Sequence, residues 1–469
     1  MVGKRGVRAA ALGLVVVSLL VVGLGYVAGP SEGSFDRSLG PDGPTDPSAR
    51  VAPPRENVTV VATDSNTWRG LGVQGPRSRS ELVAFAPDGS ILYYDDAHTR
   101  YWDVDQVPGT AATVEYLYSD HVEGPACDRT NASRHAVDEA TWDRYLAARE
   151  DAVACTRNGI ERANLTTGEV ESVWWRITPG KEASRYHDED WINDTHRVVA
   201  DIYLDRIFVV DVSADRIVWT WNASDDYPTS SGGGYPTDWT HVNDVEVLPD
   251  GRYMVSLRNQ DQVVFVDPES GLDESWTLGA EDDYDVLYEQ HNPDYVPEEM
   301  GGPAVIVSDS ENDRVQEFQR IDGEWVRTWE WSDYRMQWPR DADRLPDGNT
   351  LITDSNGDRV FEVDGSGAIV WSVDVAFPYE AERLGTGVES RGGPSATHPE
   401  LAATSSTGSL PSELKRTLGG KYLNVALYVT PVWMGPVEVV ALVVAVLALV
   451  ALALVELAWL VGGRRRAGR

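Results

Sequence analysis

The chain has 469 residues, room for one large domain or two ordinary ones. Its 75 Asp and Glu against 40 Lys and Arg give a formal net charge of −35, which excludes the basic face that a nucleic-acid partner needs. Self-repulsion of that size destabilises a fold in dilute buffer, so the charge predicts a halophilic protein screened by concentrated salt.

Residues 1–29 read as a basic cytoplasmic tail and a transmembrane helix. Residues 9–27 carry no charge and follow Lys4, Arg5 and Arg8, a length that crosses a bilayer. The competing reading is a cleaved signal peptide, for which Ala28-Gly29-Pro30 is a poor cleavage site. Residues 30–56 read as a disordered linker. Five Asn-x-Ser/Thr sequons, at Asn57, Asn131, Asn164, Asn193 and Asn222, suit a glycoprotein outside the cell. Cys127 and Cys155 are the two cysteines; outside the cell they are expected to pair. Their bond would staple a helical insertion, about residues 128–154, to the main fold.

Between Ser80 and Phe377 the pattern is strand after strand, with turn signals at short intervals, within a propeller expected over residues 57–395. The clearest unit starts at Asn243-Asp244-Val245-Glu246-Val247-Leu248-Pro249-Asp250-Gly251 and ends at Trp276. A second starts at Arg340-Asp341-Ala342-Asp343-Arg344-Leu345-Pro346-Asp347-Gly348 and ends at Trp371. Pro-Asp-Gly makes the first hairpin, with Gly free to take positive φ. Weaker copies begin near Ala84, Thr156, His187 and His291. Six such four-stranded units predict an all-β, six-bladed β-propeller with tryptophans between blades. Asn57-Val58-Thr59-Val60-Val61-Ala62-Thr63 is a lone strand that can close the ring. Asp309-Ser310-Glu311-Asn312-Asp313 and Asp354-Ser355-Asn356-Gly357-Asp358 recur at one blade position and read as hairpin turns rather than calcium loops.

The repeat fades after Tyr379. Residues 396–436 read as a linker rich in Gly, Ser, Thr and Pro, with an interfacial helix expected within residues 412–428. Residues 437–469 read as a second transmembrane helix ending in Arg464, Arg465, Arg466 and Arg469. Positive flanks outside the two spans put both termini in the cytoplasm and the propeller outside the cell membrane.

His187, His241 and His291 fall at nearly the same place in successive units, and Arg340 falls there in another. Asn243 and Arg340 each lie seven residues before the Asp of Pro-Asp-Gly, and His187 lies seven before Asp194. His241 is two residues before Asn243, so on a strand the two point the same way. Equivalent positions of a propeller line its channel. Neutral imidazoles beside arginine suit attack on a bound anion.

Thr240-His241-Val242-Asn243-Asp244, Gln290-His291-Asn292-Pro293 and the Arg340 to Leu351 segment resemble the arylsulfotransferase family. Tyr379-Glu380-Ala381-Glu382-Arg383-Leu384-Gly385 extends the likeness to its short, membrane-anchored members from halophilic archaea. The resemblance implies a nucleotide-independent transfer of a sulfuryl group from an aryl sulfate donor to a phenolic acceptor. It implies His291 as the nucleophile, and His241 and His187 as further catalytic histidines. It implies Asn243, Arg258 and Arg340 as substrate-binding groups, with neither metal nor cofactor. Two departures stand out: the spans are foreign to the secreted enzymes of the family, and Arg258 is about one residue off its pattern. Two rival readings are a non-catalytic binding propeller, acting as receptor or scaffold, and a metal-dependent lyase or hydrolase ligated by the three histidines.

Overall fold

A computed structural model describes residues 4–28, 39–40, 43–44, 50–65, 78–123, 154–179, 185–387, 389–398 and 420–467. The strands form six antiparallel sheets of at least four strands each, taken here as blades 1 to 6. The inner strands, in chain order, are Arg100–Gln106, Tyr186–Asn193, Val242–Val247, His291–Val296, Pro339–Arg344 and Pro378–Arg383. Each packs on the next, and the sixth packs on the first, so they enclose a channel. The chain is thus a six-bladed β-propeller.

Closure is made by hydrogen bonds between the two ends of the propeller segment. Blade 6 takes its inner strand from Pro378–Arg383 and its other strands from Thr59–Thr63, Leu82–Phe85 and Ile91–Asp95. Val60 faces Glu382 and Val61 faces Ala381 across the joint. The strand at Thr59–Thr63 therefore does close the ring, against a strand lying beyond the last recognisable repeat.

Two unit boundaries differ from the sequence expectation. Pro87-Asp88-Gly89 joins the outer two strands of blade 6, and Thr156 lies on the third strand of blade 1, Ala154–Asn164. A Pro-Asp-Gly turn marks a hairpin but not which hairpin of the blade it is. The expected helical insertion, Cys127 and Asn131 lie outside the described residues. Cys155 is buried on that third strand.

The apolar core is divided among the seams. Five clusters each mix side chains of two neighbouring blades, such as Val198 and Trp221 of blade 2 with Val245 and Val264 of blade 3, and a sixth joins blades 1 and 2 with Tyr379 of blade 6. Burying one large side chain there contributes about 1.5–3 kcal/mol. Tryptophans of the outer strands also donate across seams. Trp219 donates to Pro268 O at 3.0 Å, Trp331 to Gly367 O at 3.0 Å and Trp371 to Pro53 O at 2.9 Å.

Helix α1, Lys4–Ala28, and helix α3, Pro436–Ala467, are long and apolar enough to cross a membrane over Gly6–Val27 and Pro436–Leu460. They run antiparallel: Arg8 pairs with Glu456 at one end, and Tyr26 meets Trp433 edge-on at 5.3 Å at the other. Helix α2, Gly420–Tyr428, lies just before α3 and against the propeller. Of the interfacial helix expected over residues 412–428, residues 412–419 are outside the described set.

Ala62 sits in the strand that pairs with both Pro378–Arg383 and Leu82–Phe85. Ala62→Pro removes a ladder donor from the closing blade. It should cost about 1–3 kcal/mol, the penalty of leaving a buried ladder acceptor unpaired, seen as a lower melting temperature by circular dichroism in concentrated salt.

Candidate active site

The inner strands share a pattern of carboxylates at alternate positions. Blade 1 carries Asp103 and Asp105, blade 2 Asp188 and Asp190, blade 3 Asp244 and Glu246. Blade 5 carries Asp341 and Asp343, and blade 6 Glu380 and Glu382. In blade 4 the places belong to Asn292 and Asp294. The residue just before each pair is, in order, Trp102, His187, Asn243, His291, Arg340 and Tyr379.

At or beside each of these six residues the pairing to the second strand slips. The slips fall between Tyr101 and Val104, Tyr186 and Asp188, Val242 and Asp244, His291 and Asp294, Pro339 and Asp341, and Pro378 and Glu380. Such a bulge bends the strand locally and re-aims its side chains. Six bulges, one per blade, thus gather one ring of residues at the mouth of the channel.

Two residues before four ring members the backbone is left-handed: His241 has φ 50°, Glu289 46°, Trp338 62° and Phe377 52°. Non-glycine residues hold that conformation only where surroundings enforce it, at about 1–3 kcal/mol each. Here the enforcing groups are carboxylates of the preceding blade. Asp261 accepts from Glu289 N at 2.9 Å, Asp313 from Trp338 N at 2.9 Å and Asp358 from Phe377 N at 3.1 Å. Asp205 does the same for Thr240 N at 2.8 Å. His241 therefore precedes its strand rather than lying on it. Its ring enters the pocket, whereas Asn243 is buried and donates to Gln290 O at 2.9 Å.

The mouth holds a cavity of about 220 Å³. His187, His241, Arg258, Arg340 and Tyr379 line it, with Trp102 and Trp338 as apolar walls and Lys421, Val425 and Tyr428 of α2 as a roof. The rings of His187 and His241 are 5.4 Å apart, and Trp102 stacks on His187 at 4.1 Å. His291 is wholly buried behind this surface, 6.3 Å from the Tyr379 ring and 6.5 Å from Trp338. The turn Asp309-Ser310-Glu311-Asn312-Asp313 is indeed a hairpin turn. Its Asp309 is held by Arg314 at 2.6 Å, and its Ser310 and Glu311 reach the site.

Hydrogen bonding determines two tautomers. Ser310 Oγ donates to Pro339 O at 2.7 Å, so it accepts from His291 Nδ1 at 2.8 Å. Nδ1 carries the proton and Nε2 of His291 keeps its lone pair, buried and without a hydrogen-bond partner among the described residues. His241 Nδ1 lies 2.6 Å from Asp238 Oδ1, so its proton is also on Nδ1. His187 Nδ1 meets the Tyr379 hydroxyl at 2.9 Å, and its Nε2 likewise has no partner among the described residues.

The three imidazoles are neutral. Burial, then the nearby Arg258, hold His241 down to about 4 despite Asp238. Burial, with Arg185 for His187 and Arg340 for His291, pushes both well below the usual range. Burial raises Glu289, but Arg258 and Lys421 outweigh it and bring its carboxyl to about 2. Arg258 donates to Glu289 at 2.5 Å, and Lys421 pairs with the same carboxylate. Arg340 has no carboxylate partner among the described residues. It lies over the Trp338 ring at 3.6 Å and is lowered to about 10 by burial. Arg340 is thus a cation free to meet an anion, on an aromatic platform.

His187, His241 and Arg340, foreseen from the repeat, share the cavity with Arg258. His291 and Asn243 form its second layer. The candidate metal-ligand clusters among the described residues consist of carboxylates and include none of the three histidines. Sequence reasoning missed Trp102 and Tyr379, although the acid-x-acid pattern following each would have found both. It also missed Asp238, Glu289, Arg185 and Lys421, which reach the site from loops and from α2 and carry no repeat signal.

A family model described as Arylsulfotransferase (ASST) matches residues 188–299. That segment contains His241, Asn243, Arg258 and His291. No curated protein matches the chain. Among solved structures the chain is similar to a protein of unknown function from Bacteroides caccae, with 11% identity, 69% of this chain and 97% of that chain covered, and a TM-score of 0.43. It is similar to a periplasmic gluconolactonase from Pseudomonas aeruginosa, with 14% identity, coverage of 71% and 99%, and a TM-score of 0.41. A catalytically inactive virginiamycin B lyase from Staphylococcus aureus follows, with 7% identity, coverage of 67% and 88%, and a TM-score of 0.37. At these values the likenesses carry no argument about chemistry.

His241 ordinarily titrates near 6.5 but stays neutral here to about 4. Between those values the unfolded chain binds more protons than the folded one, so stability is full above about pH 6.5 and falls as pH falls through the window. His241→Gln should flatten that fall by up to about 1.4 kcal/mol per pH unit, read from melting temperatures of both proteins between neutral and acid pH.

Proposed function

We propose that this chain is a membrane-anchored, sulfotransferase-like enzyme that moves a sulfuryl group from an aryl sulfate to a phenol through His291. The observation that carries the reading is the buried, unpartnered Nε2 of His291, held as a lone pair by Ser310 behind a mouth that offers Arg340. Leaving such a group unsatisfied costs about 1–3 kcal/mol, which a purely structural histidine has no reason to bear. The family match over the segment that contains His291 and His241 supports the same reading.

In the proposed first step Nε2 of His291 attacks sulfur, an N–S bond forms, and the ester S–O bond breaks. The sulfuryl oxygens meet Arg340 and Arg258, whose donors act where negative charge develops, with the Asn243 amide behind them. The ester oxygen leaves as a phenolate and takes its proton from water, because neutral His241 and His187 have none to give. In the second step neutral His241 or His187 accepts the proton of the incoming phenol, whose oxygen displaces Nε2 from sulfur, and then releases that proton to water. Trp102, Trp338 and Tyr379 provide faces for the aryl rings.

The roof of the cavity belongs to α2, which precedes the α3 span. Tyr422 and Val425 of α2 are exposed, which suits a helix lying at a membrane surface. Substrates would then approach from the membrane side, which favours amphiphilic phenols. In this reading both termini lie on the cytoplasmic side, which the basic flanks and the antiparallel run of α1 and α3 support.

His291→Ala should abolish sulfuryl exchange between p-nitrophenyl sulfate and phenol in concentrated salt. Arg340→Gln should lower kcat/KM by about 10²–10³-fold, as loss of one transition-state donor does. If the wild-type chain exchanges no sulfuryl group across a panel of aryl sulfates, the reading fails.

A further inference from the structure

Five of the eleven inner-strand carboxylates at alternate positions share a structural task. Asp188 accepts from Val245 N at 2.5 Å, Asp190 from Val247 N at 2.6 Å and Glu246 from Tyr295 N at 2.8 Å. Asp341 accepts from Ala381 N at 3.1 Å, and Glu380 from Val104 N at 2.9 Å. Each bond ties one blade to the next. By the same register Asp103 and Asp105 of blade 1 should tie blade 2, and they do not.

Asp103 and Asp105 are each 1% exposed. Both oxygens of both side chains are buried without a hydrogen-bond partner among the described residues. An isolated buried carboxylate is strongly disfavoured unless a cation or donors compensate it. The ligand atoms of Asp103, Asp188 and Glu380 all lie within 4.8 Å of one another, as do those of Asp103, Asp105 and Glu389. Arg391 is the one basic side chain ion-paired with these inner-strand acids among the described residues, and it is engaged by Asp190 and Glu246.

We propose that Asp103, Asp105, Asp188, Glu380 and Glu389 bind a calcium ion within the channel. The donors are all carboxylate oxygens, which select a hard divalent cation over a transition metal. The two groups share Asp103, and a cage made of protein carboxylates suits calcium, which takes about six to eight oxygens, better than magnesium, which keeps several of its waters. The ion would supply the tie that blade 1 lacks, joining it to blades 2 and 6. Three of its ligands directly follow Trp102, His187 and Tyr379, so it would also hold those members of the mouth ring in place. Burial and mutual repulsion push Asp103 and Asp105 well above the ordinary carboxylate range in the absence of a cation, which accords with a site built for one. The inference does not depend on sulfuryl transfer.

The test uses the full chain in detergent and concentrated potassium chloride, stripped with a chelator and then dialysed against calcium chloride. About one retained calcium per chain is expected by elemental analysis, with a higher melting temperature than the stripped protein. Asp103→Asn with Asp105→Asn should weaken calcium binding at least tenfold and remove the response of melting to calcium. An amide is tolerable there, because Asn292 holds the equivalent place in blade 4; near-ultraviolet circular dichroism checks the fold. The single Asp103→Asn should weaken binding in the same direction if the double variant does not fold. Wild-type protein that retains no calcium, binds magnesium in preference, or binds calcium equally well after Asp103→Asn overturns the proposal.

Discussion

The bond on which this structure most depends is a carboxylate of one blade accepting a backbone N–H of the next. It occurs at two levels. At the rim, Asp205, Asp261, Asp313 and Asp358 take the N–H of residues entering the next inner strand. Within the channel, Asp188, Asp190, Glu246, Asp341 and Glu380 do the same further down. Inner strands have an open edge toward the channel that no sheet partner satisfies. A carboxylate oxygen is a strong acceptor with which to satisfy it.

That arrangement has an electrostatic consequence. Acceptors repeated around a ring crowd carboxylates into a buried space, and burial pushes Asp188, Asp341 and Glu380 well above the ordinary carboxylate range. Above them the mouth carries Arg185, Arg258, Arg340 and Lys421 together with Asp64, Glu289 and Glu311, so the channel is acidic below and its entrance holds both signs, with Arg258 and Lys421 paired to Glu289. The imidazoles lie at the border. Burial and the neighbouring arginines keep them neutral, which is the state a nucleophile or base requires. The bulges and left-handed residues that aim these side chains are strained locally, and the rim carboxylates hold that strain in place.

The fold was largely legible from the repeat, because a blade is a local pattern of alternation and turns. Blade 6 was the exception. Its inner strand, Pro378–Arg383, lacks the following Pro-Asp-Gly, and its other strands come from the opposite end of the segment. Tyr379 was hidden for that reason, and Trp102 because the first blade was counted from the wrong turn. His187, His241 and Arg340 were found since each sits in a recognisable copy. Asp238, Glu289 and Lys421 had no such marker.

The sequence by itself determined the periodic elements: strands that bury both faces, turns at Pro-Asp-Gly, two apolar spans and the acidic balance. These are local properties, set by alternation, turn stereochemistry and hydropathy along neighbouring residues. Which residues meet was decided only by the tertiary structure. Ring closure brings Tyr379 beside Trp102 and His187, and the docking of α2 brings Lys421 over Glu289. The hydroxyl of Ser310 determines which nitrogen of His291 is free. Such contacts join positions far apart in the chain, and only the closed ring of blades gives them a common centre.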